Sequence, residues 1–145
     1  MRCWLILFLC LLPSWAKAQT VGPVKGSLVI VGGGRLGPEI IDEFITRAGG
    51  KEARFVVIPT ALEGDDWGEE YKSKSFLVRK GAIHVTVLHT RDPLVASQDE
   101  FITPLKEAQG VWIDGGRQWR LADAYLNTKT LTALHEVLDR GGVIG

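Results

Sequence analysis

The feature that most constrains the fold is a regular alternation between short apolar runs and stretches with helical spacing. The apolar runs are SLVIV (27–31), RFVVIP (54–59), IHVTVL (83–88), GVWID (110–114) and GVIG (142–145). Continuous apolar runs such as SLVIV are typical of strands buried on both faces of a sheet. Strands that alternate with helices predict a parallel α/β sheet covered on both sides. Because ligands of such sheets bind at the carboxyl ends of the strands, functional residues are expected there.

The segments between the apolar runs carry helix signals. In PEIIDEFITRAGG (38–50) the apolar residues share one helical face, Pro38 suits the first helical position, and Gly49-Gly50 suits the end. Further helices are predicted at 67–81, 97–108, 118–126 and 128–140. Pro104 interrupts the helix at 97–108. In the last helix one side carries three leucines, Leu131, Leu134 and Leu138, which predicts that this side faces the core.

The first 18 residues have the features of a secretory signal peptide. Arg2 gives a basic start, an apolar run extends from Trp4 to Leu12, and Ala16-Lys17-Ala18 forms an A-x-A site for cleavage after Ala18. The run is about half of the roughly 20 residues that a membrane-spanning helix needs. We therefore expect a secreted or periplasmic protein in which residues 19–145 belong to a single domain.

Cleavage after Ala18 would change both the cysteine content and the charge. It would remove Cys3 and Cys10, leaving neither a disulfide nor a thiol nucleophile. It would also remove Arg2 and Lys17, leaving 15 basic against 17 acidic residues. This slightly acidic balance argues against binding to nucleic acid and, after cleavage of the signal peptide, against binding to an anionic membrane surface. A homodimer is left open.

The turn after the first strand, Gly32–Gly37, fits the pattern G-x-G-x-x-G. This pattern is found where a dinucleotide pyrophosphate approaches a helix N-terminus. The acid that should confirm such a site near the end of the second strand is absent, because that strand ends in Ile58-Pro59-Thr60. The glycines could instead permit a tight turn, or Gly33 and Gly34 could form one wall of a different active site.

A second glycine turn lies in VWIDGGRQWRL (111–121), between a predicted strand and a predicted helix. Gly115 and Gly116 would allow backbone N–H groups to point into a crevice at the carboxyl ends of the strands, as in an oxyanion hole. Gln118, in the first turn of the helix, could reach a substrate carbonyl or carboxylate. The alternative is that the glycines only connect the strand to the helix and that Gln118 is solvated.

Single polar residues are less informative. His89, at the carboxyl end of a strand, is the histidine best placed for function, whereas His84 lies within a strand and His135 on the solvated side of its helix. Asp65 and Asp66 form a charged pair in another loop at the strand ends, where solvation is the usual state. The sequence shows no spacing typical of a metal site.

Four segments together resemble one family of peptidases. GSLVIVGGG (26–34), VVIPTA (56–61), VWIDGGRQWRL (111–121) and LDRGGVIG (138–145) are similar, in this order and spacing, to the N-terminal half of the cyanophycinase-like serine peptidases, which include aspartyl dipeptidase. The resemblance runs from about Lys25 to Gly145. It implies a flavodoxin-like three-layer α/β sandwich, as in class I glutamine amidotransferases, of which this chain is the N-terminal part.

The resemblance also implies an activity. The family hydrolyses peptide bonds at aspartyl residues, and cyanophycinase releases β-aspartyl-arginine dipeptides from a polyaspartate that bears arginines. The substrate expected is therefore an acidic or cyanophycin-like peptide, and no cofactor is expected. None of the catalytic serine, histidine and acid would lie within residues 1–145, because the strand at 142–145 leads into a nucleophile elbow whose serine follows Gly145 by two or three residues.

Three positions near the second glycine turn can be carried over from the family, and a fourth departs from it. Gly115 and Gly116 match glycines of the oxyanion hole, and Gln118 matches a glutamine of the substrate pocket. Arg117 replaces the aspartate of the common G-G-D-Q motif, which bears on the substrate more than on the reaction. The alternatives from other classes are an exported, non-catalytic α/β binding domain and, more remotely, a dinucleotide-binding protein.

Overall fold

The computed structural model describes residues 22–145, without the side chains of residues 73 and 74, so the expected signal peptide lies outside the described residues. The strands are β1 (Ser27–Leu28), β2 (Arg54–Ile58), β3 (His84–Val87), β4 (Gly110–Ile113) and β5 (Val143–Ile144). The helices are α1 (Pro38–Arg47), α2 (Glu69–Lys74), α3 (Phe76–Arg79), α4 (Asp99–Glu107), α5 (Gln118–Tyr125) and α6 (Lys129–Asp139), with a 3₁₀ turn at Val95–Ser97.

The five strands form one sheet in the order β1-β5-β4-β2-β3, and every neighbouring pair is parallel. Parallel neighbours need crossover connections, and the helices between successive strands supply them. The predicted parallel α/β sheet is therefore confirmed. Its carboxyl edge collects the segments that follow each strand.

Helices cover both faces of the sheet. Side chains alternate along β2, so that Phe55 and Val57 pack with α1 and α3, whereas Val56 and Ile58 pack with α4, α5 and α6. On the α1 face the ring of Phe44 contacts that of Trp112 edge to face, with centroids 5.1 Å apart. The predicted three-layer α/β arrangement is confirmed.

The prediction that SLVIV is a strand buried on both faces is wrong. β1 lies at the edge of the sheet, and its pairing with β5 ends where the N–H of Val29 donates to the carbonyl of Ile144. Val29 packs against the core on the α1 side, but Leu28 and Ile30 point the other way and are 46% and 87% exposed. In the part of the chain that the structure describes, no helix covers the face of β1 that carries Leu28 and Ile30. The strand is therefore buried on the α1 side only.

The predicted helix 67–81 is divided in two at Ser75. This residue has extended backbone angles, φ −61° and ψ 145°, and its hydroxyl accepts a hydrogen bond from the N–H of Val78. A serine that caps a new helix competes with continuation of the preceding one, which explains the break. Pro104 does not end its helix, since α4 continues through it.

The buried face of α6 also differs from the prediction. Thr130, Ala133 and Val137 are buried, whereas the three leucines of this helix are only partly buried. The hydroxyl of Thr130 donates to the carbonyl of Ala96 at 2.7 Å, which lets a polar side chain enter the core. His135 is exposed, as predicted. In the part of the chain from residue 22 onward, no helix combines the length and apolar character needed to cross a bilayer.

Candidate active site

The carboxyl edge of the sheet brings the two predicted glycine turns together. Gly33 and Gly34 follow β1, Gly115 follows β4, and Gly145 follows β5, and all four line one cavity of about 200 Å³. The remaining lining residues are Val31, Leu36, Trp112, Ile113 and Asp114. The glycine turn after β1 therefore forms a wall of the same crevice that the turn after β4 enters. Gly33 and Gly34 have φ values of +99° and +88°, so this turn requires glycine.

The backbone amides of the turn after β4 are used unequally. The N–H of Asp114 donates to the carbonyl of Ile58 at 3.0 Å, and that of Arg117 donates to the carbonyl of Ala61 at 2.9 Å. Between these two, the amides of Gly115 and Gly116 have no acceptor among residues 22–145. Two adjacent donors without acceptors are what an oxyanion hole requires.

Gly116 is held against the loop that follows β2. Its φ is +147°, and a Cβ atom built on it would lie 2.5 Å from the carbonyl oxygen of Ala61. Gly115 has open space instead, with no atom within 4 Å of the corresponding position. Glycine is therefore required at position 116 by both conformation and contact.

Arg117 and Gln118 lie beside the cavity and do not line it. Arg117 precedes α5 as its N-cap residue, pairs with Glu63 at 3.2 Å, and places its guanidinium 5.5 Å from the ring centroid of Trp119. Gln118 is the first residue of α5 and is exposed. Both are exposed and directly follow the glycine turn.

Asp114 is the ionisable side chain that lines the cavity. It follows Trp112 by two positions and therefore points to the α1 face of the sheet. The hydroxyl of Tyr71, on α2, donates a hydrogen bond to its carboxylate. Burial raises the pKa of the Asp114 carboxyl to about 6. The motif contains Asp114, but the sequence gives no sign of its partner, which is 43 residues away.

His89 belongs to a partly buried network of polar side chains. Its Nδ1 lies 2.9 Å from the hydroxyl of Thr60, which is also 2.6 Å from the hydroxyl of Tyr125, and its Nε2 is 3.7 Å from a carboxylate oxygen of Asp65. Burial, and then the positive charge of Arg91, hold the pKa of His89 below its ordinary value.

The arrangement of hydroxyl, imidazole and carboxylate looks like a hydrolytic triad but cannot act as one. Thr60 is completely buried, so its hydroxyl has no access to a substrate. The network instead joins the loops after β2 and β3. Asp65 pairs with Arg91 at 2.8 Å but is 74% exposed, and Asp66 is exposed as well, so both carboxylates face solvent as predicted. Across residues 22–145, no three His, Cys, Asp or Glu side chains are grouped as a metal ion would require.

Comparison with known proteins relates the chain to a peptidase family. The sequence model of peptidase family S51 matches residues 28–145. The chain is 32% identical over 127 residues to cyanophycinases of Synechococcus elongatus and of Thermosynechococcus vestitus, in alignments that cover 83% of this chain and 38% of each relative. The chain therefore spans well under half the length of these curated relatives.

A solved structure shows the same arrangement of elements. A peptidase from an acI-B1 actinobacterium superimposes with a TM-score of 0.67 at 28% sequence identity, and the match covers 82% of this chain and 52% of that one. The family match begins within β1 and extends through β5, so it includes both glycine turns. The chain belongs to peptidase family S51.

Proposed function

We propose that the chain is the N-terminal part of an exported serine-type peptidase that hydrolyses peptide bonds at aspartyl residues. In this proposal residues 1–18 direct export, and the crevice at the carboxyl edge receives an acidic or cyanophycin-like peptide. The observation that carries the proposal is the pair of adjacent amides, Gly115 and Gly116, which have no acceptor within the described chain; Gly115 lines the cavity and Gly116 follows it directly.

The register of β5 supports a nucleophile level with the start of this glycine turn. Val111 pairs with Ile144, and the N–H of Ile113 donates to the carbonyl of Gly145 at 2.8 Å. If the strand continued in this register, the residues two and three positions after Gly145 would lie level with Asp114 and Gly115. The resemblance to cyanophycinase-like peptidases implies the nucleophile serine at those same positions.

The chemistry follows from this placement. A serine hydroxyl is a weak nucleophile, so it needs an adjacent base to take its proton as it attacks the scissile carbonyl. The carbonyl oxygen becomes an oxyanion, to which the N–H groups of Gly115 and Gly116 would donate. One such donor contributes about 3–4 kcal/mol in related hydrolases. Gln118 and Arg117, which are exposed directly after the glycine turn, would contact the peptide on either side of the bond that is cut.

The proposal is tested by assaying the full-length protein against three arginine dipeptides, linked through β-aspartyl, α-aspartyl and γ-glutamyl bonds, and against cyanophycin. We expect hydrolysis of an aspartyl-linked substrate, with the γ-glutamyl peptide as the matched control that is not cut. The same assay on residues 19–145 alone should show no turnover, since the nucleophile and base would be missing. Cleavage of the γ-glutamyl bond alone, or turnover by the 19–145 chain, would contradict the proposal.

A further inference from the structure

The loop after β2 is held from two sides by arginines. Arg120, on α5, donates from Nη1 to the carbonyls of Leu62 and of Ala61, the latter at 3.3 Å. Arg91, after β3, donates from Nη2 to the carbonyls of Leu62 and Gly64 at 3.0 Å and 2.9 Å. The carbonyl of Leu62 thus accepts hydrogen bonds from both guanidinium groups.

Of the two arginines, Arg120 is the one connected to the glycine turn after β4. Its backbone N–H donates to the carbonyl of Arg117 at 3.0 Å, so it lies one turn further along the same helix. Its side chain is 18% exposed and reaches back to Ala61, whose carbonyl also accepts the N–H of Arg117. A closed ring of hydrogen bonds therefore joins Arg120, Ala61 and Arg117.

This ring determines where the unpaired amides point. The N–H of Arg117 belongs to the peptide bond that begins at Gly116, so its bond to Ala61 fixes the plane of that peptide. The close approach of Gly116 to the same carbonyl leaves the turn little room to rotate. Displacement of the Ala61 carbonyl would therefore rotate the Gly116 peptide and change the direction of the neighbouring donors.

We propose that Arg120 is a positioning residue of the oxyanion hole, which holds the Ala61 carbonyl so that the amides of Gly115 and Gly116 face the reacting carbonyl. This inference rests on the proposed function. The Nη1 group carries two hydrogens in the fixed plane of the guanidinium and donates to both carbonyls, whereas a lysine ammonium on its flexible stem would hold them less rigidly. Because an oxyanion forms only in the transition state, loss of Arg120 should lower kcat more than it changes KM.

The chain offers a matched control at the opposite edge of the sheet. Arg140 also donates to two carbonyls, those of Leu105 and Ala108, at 2.9 Å and 3.4 Å. These carbonyls precede β4, at the amino end of the strands and away from the cavity. Arg140→Gln therefore shows how much the loss of an arginine that binds two carbonyls changes activity and hydrogen exchange when the carbonyls are far from the cavity.

The test compares Arg120→Gln, Arg120→Lys and Arg140→Gln in the full-length protein. For Arg120→Gln we expect kcat to fall about 10- to 100-fold, with KM within about two-fold of wild type. The kcat of Arg120→Lys should lie between those of Arg120→Gln and wild type. The lysine variant also provides the measurement if the glutamine variant does not fold. Arg140→Gln should leave both constants unchanged.

Hydrogen exchange of the Arg117 amide gives a readout that does not depend on activity. We expect faster exchange in Arg120→Gln and in Arg120→Lys but not in Arg140→Gln, because only the first two weaken the Ala61 acceptor. Unchanged kcat and exchange in both Arg120 variants would overturn the inference, as would an effect on KM alone or equal effects in Arg140→Gln. If wild type hydrolyses no peptide, the proposed function fails, while the exchange rates still decide whether Arg120 positions the turn.

Discussion

Replacing Gly116 with alanine places a methyl group directly against the carbonyl of Ala61. The added Cβ would lie 2.5 Å from the oxygen and 2.8 Å from the carbon of that carbonyl. Ordinary contacts between such atoms begin at about 3.5 Å, so one backbone segment must move by about 1 Å. This movement would break the hydrogen bond from the N–H of Arg117, at a cost of about 1 kcal/mol.

Backbone conformation adds to this cost. The φ of +147° at Gly116 is strained for any residue with a side chain, by about 1–3 kcal/mol. We therefore expect Gly116→Ala to lower the free energy of unfolding by about 2–4 kcal/mol in total. Gly115→Ala is the matched control, since its methyl group enters open space, and it should remain within about 1 kcal/mol of wild type.

Urea unfolding at neutral pH measures both variants. The expected result is a lower midpoint for Gly116→Ala with an unchanged dependence on urea, which shows that stability and not the extent of unfolding has changed. A Gly116→Ala protein as stable as wild type would refute the close contact with Ala61. Equal destabilisation by Gly115→Ala would refute the difference between the two glycines.

Three further outcomes follow from the site. Burial raises the pKa of Asp114 to about 6 from an ordinary 3.8, so ionisation of this carboxyl lowers the free energy of unfolding by at most about 3 kcal/mol. This loss of stability is absent below pH 4, grows between pH 4 and pH 6, and is complete above pH 6. Asp114→Asn should thus be more stable than wild type at pH 7.5 and equally stable at pH 4, with Asp123→Asn, at an exposed position, as the control. A stability difference between Asp114→Asn and wild type that does not change between these pH values would contradict the raised pKa of Asp114. Thr60→Val should lower the free energy of unfolding by about 1–3 kcal/mol, since it removes the buried hydroxyl that is hydrogen-bonded to both His89 and Tyr125, whereas Thr60→Ser should lose less; equal losses in urea would show that the hydroxyl is unimportant. NAD should not shift the melting temperature, and a concentration-dependent rise would favour a dinucleotide site instead.

The parts of the fold that the sequence predicts are those decided by local pattern. The run RFVVIP can pack on both faces of a sheet and does so, because helices lie on both sides of β2. The same pattern in SLVIV predicts the wrong burial, since nothing in the residues themselves indicates that this strand lies at the edge. Ser75 breaks a helix through one capping hydrogen bond, which competes with a helical pattern that looks continuous.

In the candidate site, too, local patterns can be predicted from the sequence, and contacts between distant segments cannot. Gly33, Gly34 and Gly115 are recognisable because glycine turns at strand ends are local signals, and parallel strands bring their carboxyl ends to one edge. Contacts between distant segments are not visible in this way. The bonds from Tyr71 to Asp114 and from Arg120 to Leu62 span 43 and 58 positions, so only the folded chain reveals them.

The central claim is that a serine following β5 attacks a carbonyl held by the amides of Gly115 and Gly116. Labelling the full-length protein with a serine-directed fluorophosphonate tests it most directly, because trypsin should release a peptide that begins at Gly141, directly after Arg140, and continues past Gly145. We expect this peptide to gain the mass of the label on a serine two or three positions after Gly145. An unlabelled peptide from a protein that still hydrolyses aspartyl bonds, or a label on any other serine, would contradict it.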